Sequence, residues 1–282
     1  MTLLHPYSHR QASLATRHDK WPLIAPVMSR VMSLEVVNVD VDTDSLGTFS
    51  GDVVRRGSPF DTAVAKARLG MRESGLTIGI ANEGTIGPHA SLPFIVSDTE
   101  LVVLVDDERG IVIADSATEL AIPSFSAVVH PDECESLELD TAGFPEHGLI
   151  VMPSLGVAPI VKGVHTREAL VDAARTCSRA SGAESVLVQS DFRAHHHPSR
   201  RLVIERAAHK LAERVAALCP SCDTPGWGVG RHEFGASCAE CGTETSQLRA
   251  EIFTCVCCAY KKSNEQQLGL GADPMYCPRC NP

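Results

Sequence analysis

The chain reads as an α/β protein, a mixed sheet with flanking helices, followed by a small cysteine-rich module. Three observations predict this. Short apolar runs such as Leu34–Val39, Leu76–Ala81 and Glu100–Val105 alternate with helical patterns such as Ser58–Gly75, Thr166–Ser181 and Arg201–Leu218. Strands alternating with helices are the mark of layered α/β architecture. Four Cys-x-x-Cys pairs then crowd into the last quarter of the chain. The predicted organisation is a loose start over 1–13, an α/β domain over 14–218 and a zinc-binding module over 219–282.

The elements follow in order. Leu14–Lys20 is a strand end running into a loop, and Pro22 suits the first turn of a helix reaching Met32. A strand over Leu34–Val39 precedes a polar, glycine-punctuated loop, Thr43–Gly57, that carries Arg55 and Arg56. Ser58 is a good N-cap, Pro59 fits the first helical position and Asp61 complements the dipole. Ala63, Ala67 and Met71 share one face of that helix, and Gly75 ends it. A strand over Leu76–Ala81 leads into Asn82–His89, read as a loop. Glu100–Val105 and Ile111–Ala114 form a hairpin around Asp106–Gly110. Further on, strands are expected at Phe125–Val129, Leu149–Met152, Ile160–Gly163 and Val186–Gln189, with a short helix over Pro131–Leu139. Thr166 caps the next helix, Ser190–Arg200 is a polar loop, and Leu202, Ala207, Leu211 and Val215 lie near one face of the last helix.

The cysteines carry the most specific chemistry. Cys219/Cys222, Cys238/Cys241, Cys255/Cys258 and Cys277/Cys280 each aim two sulfurs at one point, and two such turns complete the tetrahedral shell that zinc prefers. Fifteen residues separate the first two pairs and eighteen the last two, within the range of zinc ribbons. Pairing in sequence order is the simplest reading; first with third and second with fourth fits the spacing as well. Disulfides would need an oxidising compartment, and the N-terminus lacks a secretory signal pattern, so a cytoplasmic, zinc-bearing protein is expected. Four-thiolate shells imply structural metal. Cys257 lies inside the third pair and could compete as a ligand, while Cys134 and Cys177 are expected as buried thiols.

Charge narrows the partners. A formal net charge of −10 argues against a surface built to grip nucleic acid through its phosphates. The segment after Cys219 has five Lys/Arg against seven acids, so it too lacks a basic footprint. No apolar run approaches the length needed to span a membrane.

Three polar stretches after strands are the candidate sites. Thr16, His18 and Lys20 bring a hydroxyl, an imidazole and an ammonium to a phosphate. In Asn82–His89, Glu83 is placed to hold a divalent cation, with Asp106 or Asp107 as a partner. In Asp191–Arg201, a local excess of positive charge including Arg193 and Arg200 suggests an anion site, with Asp191 and His195 as candidate acid–base groups. Glu146 and His147, in a structured turn, are weaker acid–base candidates.

The motifs T-R-H-D-K (16–20), G-S-P-F-D-T-A-V-A-K-A (57–67), I-G-I-A-N-E-G (78–84) and L-V-V-L-V-D-D-E-R-G (101–110) resemble, in order, those of the inosine/xanthosine triphosphate pyrophosphatases. That resemblance implies an α/β fold that hydrolyses non-standard nucleoside triphosphates with magnesium. It assigns phosphate contacts to Thr16 and Lys20, the cleft to Lys66 and the metal to Glu83. His18 stands in place of the family's asparagine, and Arg55 and Arg56 replace an acidic pair. The pattern of Glu83–His89, Asp191–Arg200 and Cys219–Pro282 together also resembles an uncharacterised bacterial family, a domain of unknown function. The expectation is a metal-dependent hydrolase or transferase of a nucleoside triphosphate or related phosphate-bearing small molecule. Lys20, Lys66, Arg55, Arg56, Arg193 and Arg200 would contact the substrate. The alternative is a non-catalytic zinc-ribbon protein that recognises nucleic acid or a protein partner.

Overall fold

The computed structural model describes residues 4–16, 19–43, 57–154, 159–269 and 271–282. The expectations for His18, Arg55 and Arg56 lie outside the described residues. The chain divides into two compact units, 7–211 and a smaller one of 212–282 with 1–6.

In the larger unit a five-stranded mixed sheet has the order β2-β1-β3-β4-β5. Its strands are β1 (Gln11–Ala15), β2 (Glu35–Val39), β3 (Ile78–His89), β4 (Leu92–Asp106) and β5 (Ile111–Leu120). β1 runs parallel to β2 and β3, while β3–β4 and β4–β5 are antiparallel. Helix α1 spans Trp21–Met32 and α2 spans Pro59–Ser74. Ser58 Oγ accepts from the Asp61 backbone N–H at 3.1 Å while the Asp61 carboxylate accepts from the Ser58 N–H, so both partners of a capping box are present. Ala63, Ala67 and Met71 bury one face of α2 against Ala81, Val103 and Val105. Gly79 permits that approach, because a Cβ there would lie 2.6 Å from Met71 Cγ and 2.7 Å from the Ala67 carbonyl.

Several expectations are corrected. Residues 7–13 are not loose: Tyr7 is fully buried, its hydroxyl donating to Asp106 at 2.8 Å, and Gln11–Ser13 lie in β1. Asn82–His89 is not a loop but the continuation of β3, paired with β4 along its length. β1 pairs with β3 only at Gly79 and Ile80, so the rest of β3 is an edge, where Gly84, Gly87 and Pro88 are tolerated.

The unit also holds a second sheet rather than one continuous one. The chain leaves β5 at Ala121, in the left-handed region at φ 55°, and Pro123 removes a ladder donor. An antiparallel sheet follows in the order β6-β9-β7-β8, with β6 (Ser126–Val129), β7 (Leu149–Pro153), β8 (Val161–Val164) and β9 (Val186–Ser190). Helix α3 (Arg167–Ser181) is capped by Thr166, whose Oγ1 accepts from Ala169 N–H at 3.2 Å. It packs Leu170, Ala173, Ala174 and Cys177 against Leu149, Val151, Val186 and Val188, with Cys134 buried in the same cluster. The helix expected over Pro131–Leu139 is only a 3-10 turn, Pro131–Glu133.

Helix α4 begins earlier than expected, spanning Pro198–Ala216. Its buried stripe is Val203, Ile204, Ala207, Ala208, Leu211, Ala212 and Val215. Leu202 is 64 % exposed, because it sits five residues before Ala207 and off the helical period.

The smaller unit is a three-stranded antiparallel meander of β10 (Gly228–Phe234), β11 (Leu248–Thr254) and β12 (Lys261–Glu265). Among the described residues, no helix is long and apolar enough to cross a membrane.

Candidate functional site

The meander decides how the cysteines pair. Strands separate the Cys-x-x-Cys turns, so the chain crosses the sheet, about 23 Å for seven residues, between one turn and the next. The first and third turns therefore share one end, the second and fourth the other. Cys219, Cys222, Cys255 and Cys258 form one cluster and Cys238, Cys241, Cys277 and Cys280 the second, each with its sulfurs within 4.8 Å of one another. Sequential pairing is thereby corrected to a cross-braced one. Sulfur separations are 3.8 Å (Cys219–Cys258), 3.7 Å (Cys222–Cys255), 3.9 Å (Cys238–Cys280) and 3.5 Å (Cys241–Cys277). A tetrahedron with zinc–sulfur bonds of about 2.3 Å has edges of about 3.8 Å, so the donor sets fit zinc. The two clusters could hold two zinc ions. Cys257 is exposed and outside them, and its backbone N–H donates to Cys255 Sγ at 3.3 Å.

In the larger unit a chain of polar side chains is enclosed beside the carboxyl end of β1. Lys20 Nζ donates to Asn82 Oδ1 at 2.8 Å, and Asn82 Nδ2 donates to Glu100 Oε2 at 2.8 Å. The other oxygen of Glu100 accepts from Arg200 Nε at 2.5 Å, and Arg200 Nη1 donates to the Phe192 carbonyl. Glu100 and Arg200 are fully buried, Asn82 and Lys20 nearly so. Gly84 lies opposite Glu100 in the ladder and makes room, since a Cβ there would stand 2.6 Å from both Arg200 Nη2 and Glu100 Oε1.

Burial sets the charges. It draws the Lys20 ammonium down to about 7, with Arg200 pushing the same way. Burial alone would raise Glu100, but Arg200, Lys20 and the hydrogen bonds together hold it below the usual carboxylate range. Asp98, fully buried two residues earlier on the same face of β4, is pushed up to about 8 by burial and by the charge of Glu100. Glu83 points to the opposite face, as strand alternation requires, and pairs with Lys66 on α2 at 2.6 Å. Both are close enough to act on the charge of Lys20.

The remaining candidates sort plainly. Thr16 is described at the end of β1 and is partly buried. Asp106 does not share a site with Glu83. It accepts from Tyr7 and from the Arg109 backbone and guanidinium, and lies opposite Ile78, five ladder positions away. Asp107 is exposed and pairs with Arg68 at 3.0 Å. Arg193 donates through Nε and Nη2 to both oxygens of Asp191, which also accepts from Gly163 N–H, so the two are occupied with each other. His195 is exposed, and its ring meets that of His196 at 4.1 Å between centroids, tilted by 51°. His196 and His197 are each drawn down to about 4, first by burial, and so are neutral. The histidine run braces the fold: His196 Nδ1 meets His165 Nε2 at 2.8 Å, and His197 Nε2 donates to the Pro123 carbonyl at 3.1 Å.

Asn82, Asp98 and Glu100 were not singled out from the sequence as site residues. The signal for the acids was present: Asp98 and Glu100 extend the same alternation as Val102 and Leu104, which marks them as facing inward.

The fold and sites define an α/β unit with an enclosed ionic centre, continued into a module with two four-cysteine clusters. The chain belongs to a family described as a domain of unknown function (DUF6671), whose model matches residues 66–282. No curated protein matches its sequence.

Proposed function

We propose that the larger unit binds a nucleoside triphosphate or a related phosphate-bearing small molecule and hydrolyses it or transfers its phosphoryl group. The observation that carries this reading is the Lys20–Asn82–Glu100–Arg200 chain at the carboxyl end of β1, next to Lys66–Glu83. Ligands of parallel α/β sheets bind beyond the carboxyl ends of the strands. A lysine near 7 takes up or gives up a proton at little cost, which suits it to meet phosphate charge as it develops. Magnesium enters through the resemblance alone. Glu83 is the carboxylate placed to receive it, and the ion would have to replace Lys66 as its partner. The two zinc shells are closed, with no position left for water, so their role is to fold the smaller unit.

The test is phosphate and pyrophosphate release from a panel of standard and damaged nucleoside triphosphates, with and without magnesium. Lys20→Met and Glu83→Gln are each expected to abolish release while keeping the fold. Silence of the wild-type protein across the panel would reject the reading.

A second reading, a zinc-ribbon module that recognises nucleic acid, has one observation in its favour. Lys261 and Lys262 are exposed on edge strand β12, beside Tyr260 stacked on Trp227 at 5.3 Å. Cations next to aromatic faces suit single strands. Binding to an RNA pool that weakens steeply with salt would favour it, and a protein partner remains if that response is flat.

A further inference from the structure

The first turn of α4 carries a serine aligned on a histidine. Ser199 Oγ lies 2.9 Å from His147 Nε2, and His147 Nδ1 lies 3.1 Å from the Gly143 carbonyl oxygen. A carbonyl only accepts, so Nδ1 carries the proton and Nε2 offers its lone pair to the serine hydroxyl. The ring is held on every side. It is 8 % exposed and meets His197 edge-on at 4.4 Å. Gly143 has φ 66°, and a Cβ there would stand 2.6 Å from His147 Nδ1, so only glycine brings the carbonyl and the ring together. A nucleophile, a base and a third group that orients the base make up the usual arrangement of an activated hydroxyl.

The surroundings suit charge on the serine oxygen. Ser199 is partly exposed at the start of a 19-residue helix, whose N-terminal dipole favours an anion. The next residue, Arg200, anchors the ionic centre through Glu100. Arg201 donates to the carbonyl of Asp19, the residue before Lys20, at 3.2 Å. Ser199 is therefore the chain neighbour of a residue that belongs to the centre proposed above.

We propose that Ser199 is a nucleophile, with His147 as its general base, that accepts a phosphoryl group. The substrate class rests on the function proposed above; the activation of the serine does not. Ser199 Oγ forms a bond to phosphorus as the bond from phosphorus to the leaving oxygen breaks. The hydroxyl proton passes to His147 Nε2 and then to the leaving oxygen. Water, deprotonated by the same nitrogen, attacks the phosphoserine and releases phosphate, and the proton returns to Ser199 Oγ.

His147 also serves the helix, because the Ser199 backbone N–H lies 3.4 Å from the same nitrogen. A cap alone would need no hydroxyl and would leave the serine inert. The decisive experiment treats the full zinc-loaded protein with an alkyl fluorophosphonate and maps adducts by peptide mass spectrometry. In that reaction the serine oxygen displaces fluoride from phosphorus. One adduct is expected at Ser199, absent in Ser199→Ala and at least tenfold slower in His147→Gln. If His147→Gln does not fold, selectivity within the wild-type digest decides instead, since adducts must concentrate on Ser199 over the other serines. Labelling absent from Ser199, spread evenly over serines, or undiminished in a folded His147→Gln would overturn the proposal. Labelling at Ser199 in a protein silent on nucleotides would keep the activated serine and reject the substrate. Phosphate release undiminished in Ser199→Ala would reject the nucleophile and keep the substrate.

Discussion

Glu100 and Arg200 stand 100 positions apart and meet as a fully buried ion pair, carboxylate Oε1 to guanidinium Nε at 2.5 Å. The pair joins the middle of β4 to the first turn of α4, and Asn82 extends it to Lys20. Removing one partner of such a pair leaves a buried charge uncompensated and costs about 3–5 kcal/mol. Glu100→Gln is expected to lose that much in urea denaturation. Glu100→Gln combined with Arg200→Met should recover most of it, and a double variant no more stable than the single one would count against this account.

Gly84 tests the same pair from the backbone side. Gly84→Ala would place a methyl 2.6 Å from Arg200 Nη2 and Glu100 Oε1, and neither side chain has room to withdraw. Overpacking of this kind costs about 1–3 kcal/mol. By contrast Gly110→Ala, where nothing lies within 4 Å of the new methyl, tests only the left-handed backbone at φ 64°.

Asp98 and Lys20 give opposite pH signatures. An unfolded aspartate ionises near about 3.9, and Asp98 in the fold near 8. Between those values the folded chain keeps a proton that the unfolded chain has lost. The stabilisation is complete below about 3.9 and disappears as pH rises through 8. Relative to Asp98→Asn, the wild type should therefore lose stability from pH 5 to 9.

Lys20 runs the other way. It falls to about 7 from an ordinary value of about 10.4, so its contribution is complete above about 10.4 and is lost as pH falls through 7. Relative to Lys20→Met, the wild type should gain stability from pH 7 to 10, with a limiting slope of about 1.4 kcal/mol per pH unit. Parallel curves for variant and wild type would show that either group titrates normally.

Cross-bracing is tested by counting zinc with a colorimetric chelator. Cys222→Ser with Cys255→Ser removes two ligands from one cluster and should leave one equivalent bound. Cys222→Ser with Cys238→Ser damages both clusters and should leave none. Sequential pairing predicts the reverse.

The helices were legible because their signals are local. Ser58 and Thr166 announce helix starts through hydrogen bonds three residues away, and Ala63, Ala67 and Met71 mark a face by spacing alone. The strand expected from the sequence stops at Ala81 because Gly84, Gly87 and Pro88 look like a loop; only the long β4 beside them makes them strand. Among the site residues, Arg200 stood out as a cation. Its partner Glu100 was not singled out, and no local rule joins residues 100 positions apart.

The cysteines mark the same boundary. That all eight could be ligands follows from each Cys-x-x-Cys turn, where two sulfurs converge whatever surrounds them. Which turns share a metal depends on β10, β11 and β12, which carry alternate turns to opposite ends of the meander. Ligand identity is therefore short-range chemistry carried by the residues themselves. Ligand pairing, like the meeting of Lys20, Asn82, Glu100 and Arg200, is set by strand register and helix docking, and those exist only once distant segments have packed.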